Sequence, residues 1–336
     1  MNNVSRRQFV KYLSLVSAPL LAQRTLAAND VATPGINKTT APFPSVPSLV
    51  DDSFGGNFSY IYRNTELREQ FFNFLVNVFH LYPEQEFHAL IRSFAESYSA
   101  DENVYKQLQQ NIGNIKPFLS ELTFALPALS KQKLTIRTQT CELLDTGRRY
   151  EGYLEIGSTG RYLDALEEPL NIVGERFFLA EQAPTYSLTD MIDRGQIMQA
   201  GHYMPLADYA PKLATTIPNN SLDLVTVYIG FHHCPLPLRE QFISSIRDAM
   251  KPGGYLIVRD HDAHNDDMQA MVGLAHDVFN LGTSESWDYN AKELRNFYSL
   301  AFLDEWLSNS GFQGSGEKLY QSGDPTHNAL MLYRKV

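Results

Sequence analysis

The chain has 336 residues, of which 43% are hydrophobic and 20% charged, and its formal net charge at pH 7 is −10. This composition is typical of a soluble globular protein, and the length admits one large domain or two modest ones. An acidic surface repels phosphate backbones, so the charge argues against nucleic acid as a partner. The chain contains only two cysteines, Cys141 and Cys234, and nothing in the sequence indicates whether they pair.

The first 28 residues have the features of an export signal. The segment Ser5–Lys11 resembles the twin-arginine signal of bacteria, and the apolar run over residues 12–22 is too short to span a bilayer comfortably. Small residues at Ala27 and Ala28 offer a cleavage site. We therefore expect a partner in the twin-arginine translocation machinery. The protein would be periplasmic, or anchored to the inner membrane if the signal stays uncleaved. Removal of residues 1–28 takes away four basic residues and no acid, so the net charge would move from −10 to −14.

The two segments that follow the export signal differ in composition and in hydrophobic pattern. Residues 29–59 are rich in Pro, Thr, Ser and Asn without hydrophobic periodicity, which predicts a linker. Residues 60–148 predict a helical cap that packs against the rest of the chain. Apolar residues at helical spacing predict helices over Glu66–His80, from Glu84 onward, over Asp101–Ile112 and over Pro117–Leu129. Alternation at Leu134–Thr138 predicts a short strand.

From residue 149 to residue 336, short apolar strands alternate with amphipathic helices. This alternation predicts an α/β domain with a Rossmann-like, seven-stranded, mostly parallel sheet and helices on both faces, preceded by the helical block. The predicted strands are Tyr153–Ile156, Leu170–Val173, Ile197–Ala200, Leu222–Val227, Tyr255–Arg259, one after Phe312, and Ala329–Tyr333.

A glycine turn follows the first predicted strand, in Glu155-Ile156-Gly157-Ser158-Thr159-Gly160. Its glycines allow the backbone to approach a ligand, and a helix that begins near Tyr162 directs free N–H groups into the same crevice. Glu175 lies 20 residues after Glu155, where we expect the second strand to end. A carboxylate there can accept hydrogen bonds from both ribose hydroxyls of an adenosine group.

This succession continues with Asp223 at the start of the fourth strand and with the turn Lys251-Pro252-Gly253-Gly254 before the fifth. Over residues 150–335 it resembles the class I S-adenosylmethionine-dependent methyltransferases, especially small-molecule enzymes of the ubiquinone-biosynthesis type. The resemblance implies S-adenosylmethionine as cofactor and methyl transfer to a small or medium-sized acceptor. It places Glu155, Gly157, Ser158 and Gly160 in the methionine-binding loop and Glu175 in the ribose clamp.

The chain departs from the family pattern at two places. Thr159 stands where the family commonly has the middle glycine of the loop. Gly201-His202-Tyr203 stands where an acid usually holds the adenine amine, so we expect either Asp208 or stacking on Tyr203 to replace that contact. His232, in the loop after the fourth strand, is a further candidate to contact the cofactor.

Histidines and carboxylates follow the fourth and fifth strands. A neutral histidine suits proton removal from a methyl acceptor. We expect His233 or His261 to act as the base, oriented by Asp260 or Asp262; alternatively, Asp260 and Arg259 form a structural ion pair. Two other functions stay open. One is a non-catalytic exported protein that binds an adenosyl ligand, and the other is a metal-dependent hydrolase that uses the cluster Asp260–Asp267.

Overall fold

The structure is a computed structural model that describes residues 56–116, 126–187, 191, 194–195 and 200–336. The predicted export signal and almost all of the predicted linker lie outside these residues. Within the described ranges, no helix combines the length and the apolarity that a membrane span requires. Both cysteines are described, and both are free thiols.

The amino-terminal block consists of helices. Its members are α1 (Asn57–Arg63), α2 (Thr65–Phe74) with a π-helical continuation (Leu75–Phe79), α3 (Glu84–Ser97), α4 (Asp101–Asn111) and α5 (Leu126–Leu143). The helices predicted over Glu66–His80, from Glu84 onward and over Asp101–Ile112 are present. Of the one predicted over Pro117–Leu129, residues 117–125 lie outside the described part, and the last four residues begin α5. The first helix begins at Asn57, three residues before the predicted start of the cap.

The second part is a seven-stranded sheet. Its strands are β1 (Tyr150–Ile156), β2 (Ile172–Ala180), β3 (His202–Pro205), β4 (Leu222–Val227), β5 (Met250–His261), β6 (Phe312–Tyr320) and β7 (Asn328–Lys335). They lie in the order β3-β2-β1-β4-β5-β7-β6, and only β7 runs antiparallel to its neighbours. The described helices that connect them are α6 (Leu163–Leu166), α7 (Arg239–Ala249), α8 (Asp266–Gly282), α9 (Trp287–Asn290) and α10 (Leu300–Asn309). This arrangement confirms the predicted Rossmann-like α/β fold with a preceding helical block.

Helices cover both faces of the sheet because successive side chains of a strand point to opposite sides. Leu154 and Ile156 of β1 pack in one core together with residues of α7 and α10. Tyr153, which directly precedes Leu154, packs in the opposite core with residues of α5 and α6.

The short strand predicted at Leu134–Thr138 is wrong, since these residues lie within α5. The buried positions of this helix include Leu129, Ile136, Thr140 and Leu143, which recur at helical spacing along one face. The local alternation is therefore a by-product of the helical pattern.

The second strand was predicted over Leu170–Val173, but β2 extends to Ala180. Gly174 has φ of +75°, and the register between β1 and β2 shifts opposite it, between Glu151 and Tyr153. The glycine thus forms an irregularity within the strand rather than the turn that ends it. Of the third predicted strand, Ile197–Ala200, only Ala200 is described, and the described strand β3 begins at His202.

The helix α8, which we did not predict, joins the two parts. Nearly all of its residues from Met268 to Gly282 are buried. It contacts α1, α2 and α4 and shares an aromatic-rich core with them. His276 in its middle contacts the residues that follow β4. The cap is therefore attached to the sheet edge through α8.

Candidate functional site

The strand order reverses between β1 and β4. Ile156, the last residue of β1, pairs with Val227, the last residue of β4. In open α/β sheets the crevice beyond the carboxyl ends of the strands at such a reversal is the usual place for a ligand. The loops after β1, β2, β3 and β4 and the end of β5 all lie at this edge.

The predicted glycine turn follows β1 directly. Gly157 has φ of +97°, and a Cβ atom there would lie 2.5 Å from the side chain of Ile229, which follows β4. Glycine is required at this position because the loop passes so close to that side chain. Ser158 is buried, as is Gly160 with φ of +96°.

Glu155 lies beneath this turn and is 0% exposed. Its carboxylate accepts hydrogen bonds from the Tyr153 hydroxyl at 2.9 Å, from the Ser158 hydroxyl, and from the Tyr162 backbone N–H at 3.3 Å. Burial raises the pKa of Glu155, whereas these hydrogen bonds lower it. Glu155 therefore holds the shape of the turn instead of facing a ligand.

The structure does not bring Glu175 to the crevice. Glu175 is the fourth residue of β2, its side chain is 71% exposed, and it lies 2.8 Å from Nε2 of His202. The residue that follows the strand lies six positions further along the chain, a distance of about 20 Å in extended backbone. The prediction that Glu175 stands at the carboxyl end of β2 is wrong, because that strand continues past Gly174.

The carboxylate at that end of β2 belongs to Glu181, which is not among the residues predicted from the sequence. Its Oε1 atom is buried and has no hydrogen-bond partner among the described residues. Burial and the nearby charge of Asp208 raise the pKa of Glu181 to about 7. The signal that could have found it is the apolar run Phe177–Ala180, which ends directly before Glu181.

Two of the other predicted cofactor residues lie beside Glu181. Asp208 follows β3 closely and acts on Glu181 electrostatically. Tyr203 of β3 is half-buried, and its hydroxyl donates to the carbonyl of Ala180 at 3.3 Å. Burial and then the charge of Glu181 raise the pKa of Tyr203. Glu181, Asp208 and Tyr203 thus form one group, which we call the acidic edge.

Four histidines form a second group at the ends of β4 and β5. His232 and His233 follow β4, His261 ends β5, and His276 lies on α8. The ring centroid of His232 lies 4.3 Å from that of His233 and 5.1 Å from that of His276. All four side chains are buried. The sequence indicated the first three as candidates, whereas His276 gave no signal beyond being polar within an apolar helix.

Each of three histidines has one ring nitrogen bound to a fixed acceptor. Nδ1 of His232 lies 2.6 Å from Oδ1 of Asp260, and Nδ1 of His233 donates to the Leu294 carbonyl at 2.9 Å. Nδ1 of His261 donates to the Thr326 carbonyl at 3.2 Å. Burial lowers the pKa of His233, of His276 and of His261, the last to about 3, so these imidazoles are neutral at neutral pH.

Asp260 organises this group. Besides His232, it accepts hydrogen bonds from the backbone N–H groups of Phe231 and His261, each at 2.9 Å, and from the Tyr298 hydroxyl at 2.6 Å. Burial would raise the pKa of Asp260, but the charge and hydrogen bond of His232 outweigh it and lower the pKa. Arg259 donates instead to Gln321 at 2.6 Å, and no ion pair joins it to Asp260 among the described residues.

The remaining acids of the cluster Asp260–Asp267 do not converge. Asp262 accepts from the backbone N–H of Leu300 at 2.9 Å, and Asp267 accepts from the Tyr60 hydroxyl at 2.8 Å. Within the described part of the chain, the one group of side chains with converging ligand atoms consists of histidines. The acidic cluster therefore does not favour a metal-dependent hydrolase.

A buried ionic network lies behind His233. The Arg295 guanidinium lies 2.7 Å from Asp277 of α8 and 2.7 Å from Glu293. Oε1 of Glu293 lies 4.0 Å from Nδ1 of His233. The network fixes α8, and with it His276, against the segment that follows the helix.

Part of the chain matches a known protein family. Residues 192–258, about a fifth of the chain, match a family model described as "Methyltransferase domain". None of the curated proteins matches the chain.

Several solved structures are similar in fold. A putative O-methyltransferase from Nostoc punctiforme is 19% identical with a TM-score of 0.41, and the match covers 70% of this chain and 61% of that protein's length. An O-methyltransferase family 2 protein from Planctomyces limnophilus, solved with apigenin, is 13% identical with a TM-score of 0.44, over 83% of this chain and 88% of that one. A 1,6-didemethyltoxoflavin-N1-methyltransferase from Burkholderia thailandensis, solved with S-adenosylhomocysteine, is 14% identical with a TM-score of 0.40, over 75% and 90%.

Proposed function

We propose that the chain binds S-adenosylmethionine in the crevice between β1 and β4 and transfers its methyl group to a small or medium-sized acceptor. The observation that carries this proposal is the acidic edge. Glu181 and Asp208 follow adjacent strands at the reversal of the sheet, and Oε1 of Glu181 has no partner among the described residues. Two neighbouring acceptors suit the ribose hydroxyls and the adenine amine, which are all donors.

The glycine turn and the family-model match support the same ligand. The turn after β1 brings backbone close to the crevice, where the methionine part of the ligand would lie. When bound, S-adenosylmethionine supplies a methyl group on a sulfonium, which transfers by in-line displacement. The chain's own residues then hold the two reactants in line and exclude water. The base role predicted for His233 or His261 stays a prediction.

The size of the acceptor follows from burial. His232 and His233 at the end of β4 are 2% and 0% exposed, and His276 of α8 packs against both rings. A folded macromolecule cannot reach strand ends that are this deeply covered, whereas a small molecule can enter a narrow crevice.

Calorimetric titration of the full chain with S-adenosylmethionine and S-adenosylhomocysteine tests the proposal. We expect one site per chain and a loss of about 10- to 100-fold in affinity for Glu181→Gln, because hydrogen bonds to a charged acceptor contribute about 1.5–3 kcal/mol. Glu175→Gln is the matched control, since it changes an exposed glutamate on the same strand, and its affinity should equal that of the wild type. No binding at millimolar ligand, or equal affinities for both variants, would overturn the proposal.

We also propose that the protein is exported by the twin-arginine route. The support is the segment Ser5–Lys11 with the apolar run and small residues that follow it. Arg6→Lys combined with Arg7→Lys should retain the protein in the cytoplasm of a bacterial host, as measured by cell fractionation and immunoblotting. Conversion of Arg24 to Lys is the control, and periplasmic export of the double variant at the wild-type level would contradict the proposal.

A further inference from the structure

Three histidines from two elements converge on one buried point. His232 and His233 follow β4, His276 lies on α8, and a ring nitrogen of each lies within 4.8 Å of those of the other two. We propose that these three side chains form a binding site for a divalent first-row transition ion such as Zn²⁺. The inference does not rest on the proposed function, since it involves no adenosyl ligand.

The outer ring nitrogens of two histidines are already oriented. Nδ1 of His232 is bound to the Asp260 carboxylate, and Nδ1 of His233 to the Leu294 carbonyl. Both Nε2 atoms are buried and have no hydrogen-bond partner within the described ranges. Histidines that ligate metals almost always donate their other N–H to a carboxylate or a backbone carbonyl. The hydrogen bonds thus leave a lone pair on each Nε2 atom, as a ligand requires.

His276 supplies the third nitrogen from α8. It is 0% exposed, and neither of its ring nitrogens has a hydrogen-bond partner among the residues that the structure describes. Buried polar side chains are almost always paired, so a histidine in this state within an apolar helix calls for a ligand. An ion bound by all three rings would give one nitrogen of His276 a partner, together with a nitrogen of each of the other two rings.

The geometry and the donor type restrict the ion. Tetrahedral Zn–N bonds of about 2.0–2.1 Å place the nitrogens about 3.4 Å apart. The nitrogens now lie within 4.8 Å, so they must draw together by no more than about 1.4 Å. Neutral imidazoles without carboxylate oxygens suit zinc, copper, nickel or ferrous iron, whereas magnesium and calcium prefer oxygen. Three protein ligands leave a fourth position open, as in catalytic rather than structural zinc sites.

A role as general base is the main alternative for these residues. A base needs only one imidazole, oriented as His232 is by Asp260. It does not explain why a ring nitrogen of His276, from another element, lies within 4.8 Å of ring nitrogens of the other two histidines. An ion on the three rings would occupy the lone pairs, so the two roles exclude each other.

Zinc binding by the full chain tests the site. The protein should be purified without a polyhistidine tag, stripped with a chelator and titrated with Zn²⁺, with bound metal measured by mass spectrometry and stability by thermal unfolding. We expect one ion per chain and a Tm that rises with Zn²⁺ concentration. His276→Gln and His276→Phe should each weaken binding at least tenfold. His264→Gln, which changes an exposed histidine, should bind as the wild type does.

A measurement on the wild type alone covers the case in which the His276 variants fail to fold. X-ray absorption of the bound Zn²⁺ should show three imidazole nitrogens. A shell made of oxygen alone, no binding at millimolar Zn²⁺, or binding by His276→Phe equal to that of the wild type would overturn the site. Because no adenosyl ligand is present, these outcomes are independent of the calorimetric test of the proposed function.

Discussion

Nδ1 of His232 and Oδ1 of Asp260 lie 2.6 Å apart, and both side chains are at most 3% exposed. The contact joins the loop after β4 to the end of β5 and fixes the orientation of the His232 ring. Asp260 also accepts hydrogen bonds from Phe231, His261 and Tyr298. One carboxylate therefore links the loop after β4, the end of β5 and the segment before α10.

Replacement of Asp260 should therefore destabilise the fold. We expect Asp260→Asn to lower the free energy of unfolding by about 3–5 kcal/mol, because the buried donors that bind the carboxylate lose a charged acceptor. Asp266→Asn is the control, since Asp266 is exposed and the change should stay within about 0.5 kcal/mol. Urea unfolding of both variants measures the difference, and equal losses would contradict the organising role of Asp260.

Gly230 permits the approach of Asp260 to the loop after β4. It has φ of +75°, and a Cβ atom there would lie 2.7 Å from both Oδ2 of Asp260 and Nδ1 of His232. Gly316→Ala offers a matched control, because Gly316 has φ of +82° with nothing within 4 Å of the new atom. Each of the two substitutions should lower the free energy of unfolding by about 1–2 kcal/mol, because alanine is strained at a positive φ. Gly230→Ala should lose about 1–3 kcal/mol more in urea unfolding, and the same loss for both would show that the close approach is unimportant.

Arg295 stabilises two buried carboxylates, Asp277 and Glu293. We expect Arg295→Met to lower the free energy of unfolding by about 3–5 kcal/mol, since it leaves both acids without their cation. Arg92→Met removes an exposed pair with Glu96 and should cost no more than about 0.5 kcal/mol. If urea unfolding gave similar values for the two variants, the network would not be what fixes α8.

The raised pKa of Glu181 predicts a pH dependence of ligand affinity. Its pKa is about 7, through burial and then Asp208, and ribose hydroxyls donate to the ionised form. Affinity for S-adenosylhomocysteine should therefore rise between about pH 6 and pH 8. The stability of the ligand-free protein should depend on pH in the opposite direction. Because the folded protein raises the pKa of Glu181, the contribution of Glu181 to the free energy of unfolding falls as the pH rises from the pKa of an unfolded glutamate toward 7.

Asp208→Asn checks this assignment, because loss of the neighbouring charge lowers the pKa of Glu181 and should move the rise in affinity to lower pH. Glu181→Gln should remove the rise altogether. Calorimetric titrations at several pH values measure both effects. A rise that persists in Glu181→Gln would assign the titration to another group.

The order of helices and strands could be predicted from the sequence because each element has its own apolar periodicity, which depends only on neighbouring residues. The glycine turn after Glu155 and the strands over Leu222–Val227 and Ala329–Tyr333 are present as predicted. The prediction failed at Gly174, since a glycine inside a strand has the same local signature as one that ends it. The sequence therefore predicts the ribose carboxylate at Glu175, whereas the carboxylate at the end of the strand, which we propose for that role, is Glu181.

The histidine group could not be predicted because its members meet through the tertiary structure. His276 is distant in the chain from His232 and His233, and only the packing of α8 against the strand ends brings the three rings together. Conversely, Asp260–Asp267 is a cluster in the sequence, but its carboxylates separate because each binds a different donor.

A structure of the chain with S-adenosylhomocysteine tests the central proposal most directly. We expect both ribose hydroxyls at hydrogen-bond distance, about 2.5–3.0 Å, from the Glu181 carboxylate, with the adenine beside Asp208 and Tyr203. Ligand bound away from the crevice between β1 and β4, or a ribose that contacts Glu175 and leaves Glu181 free, would contradict it.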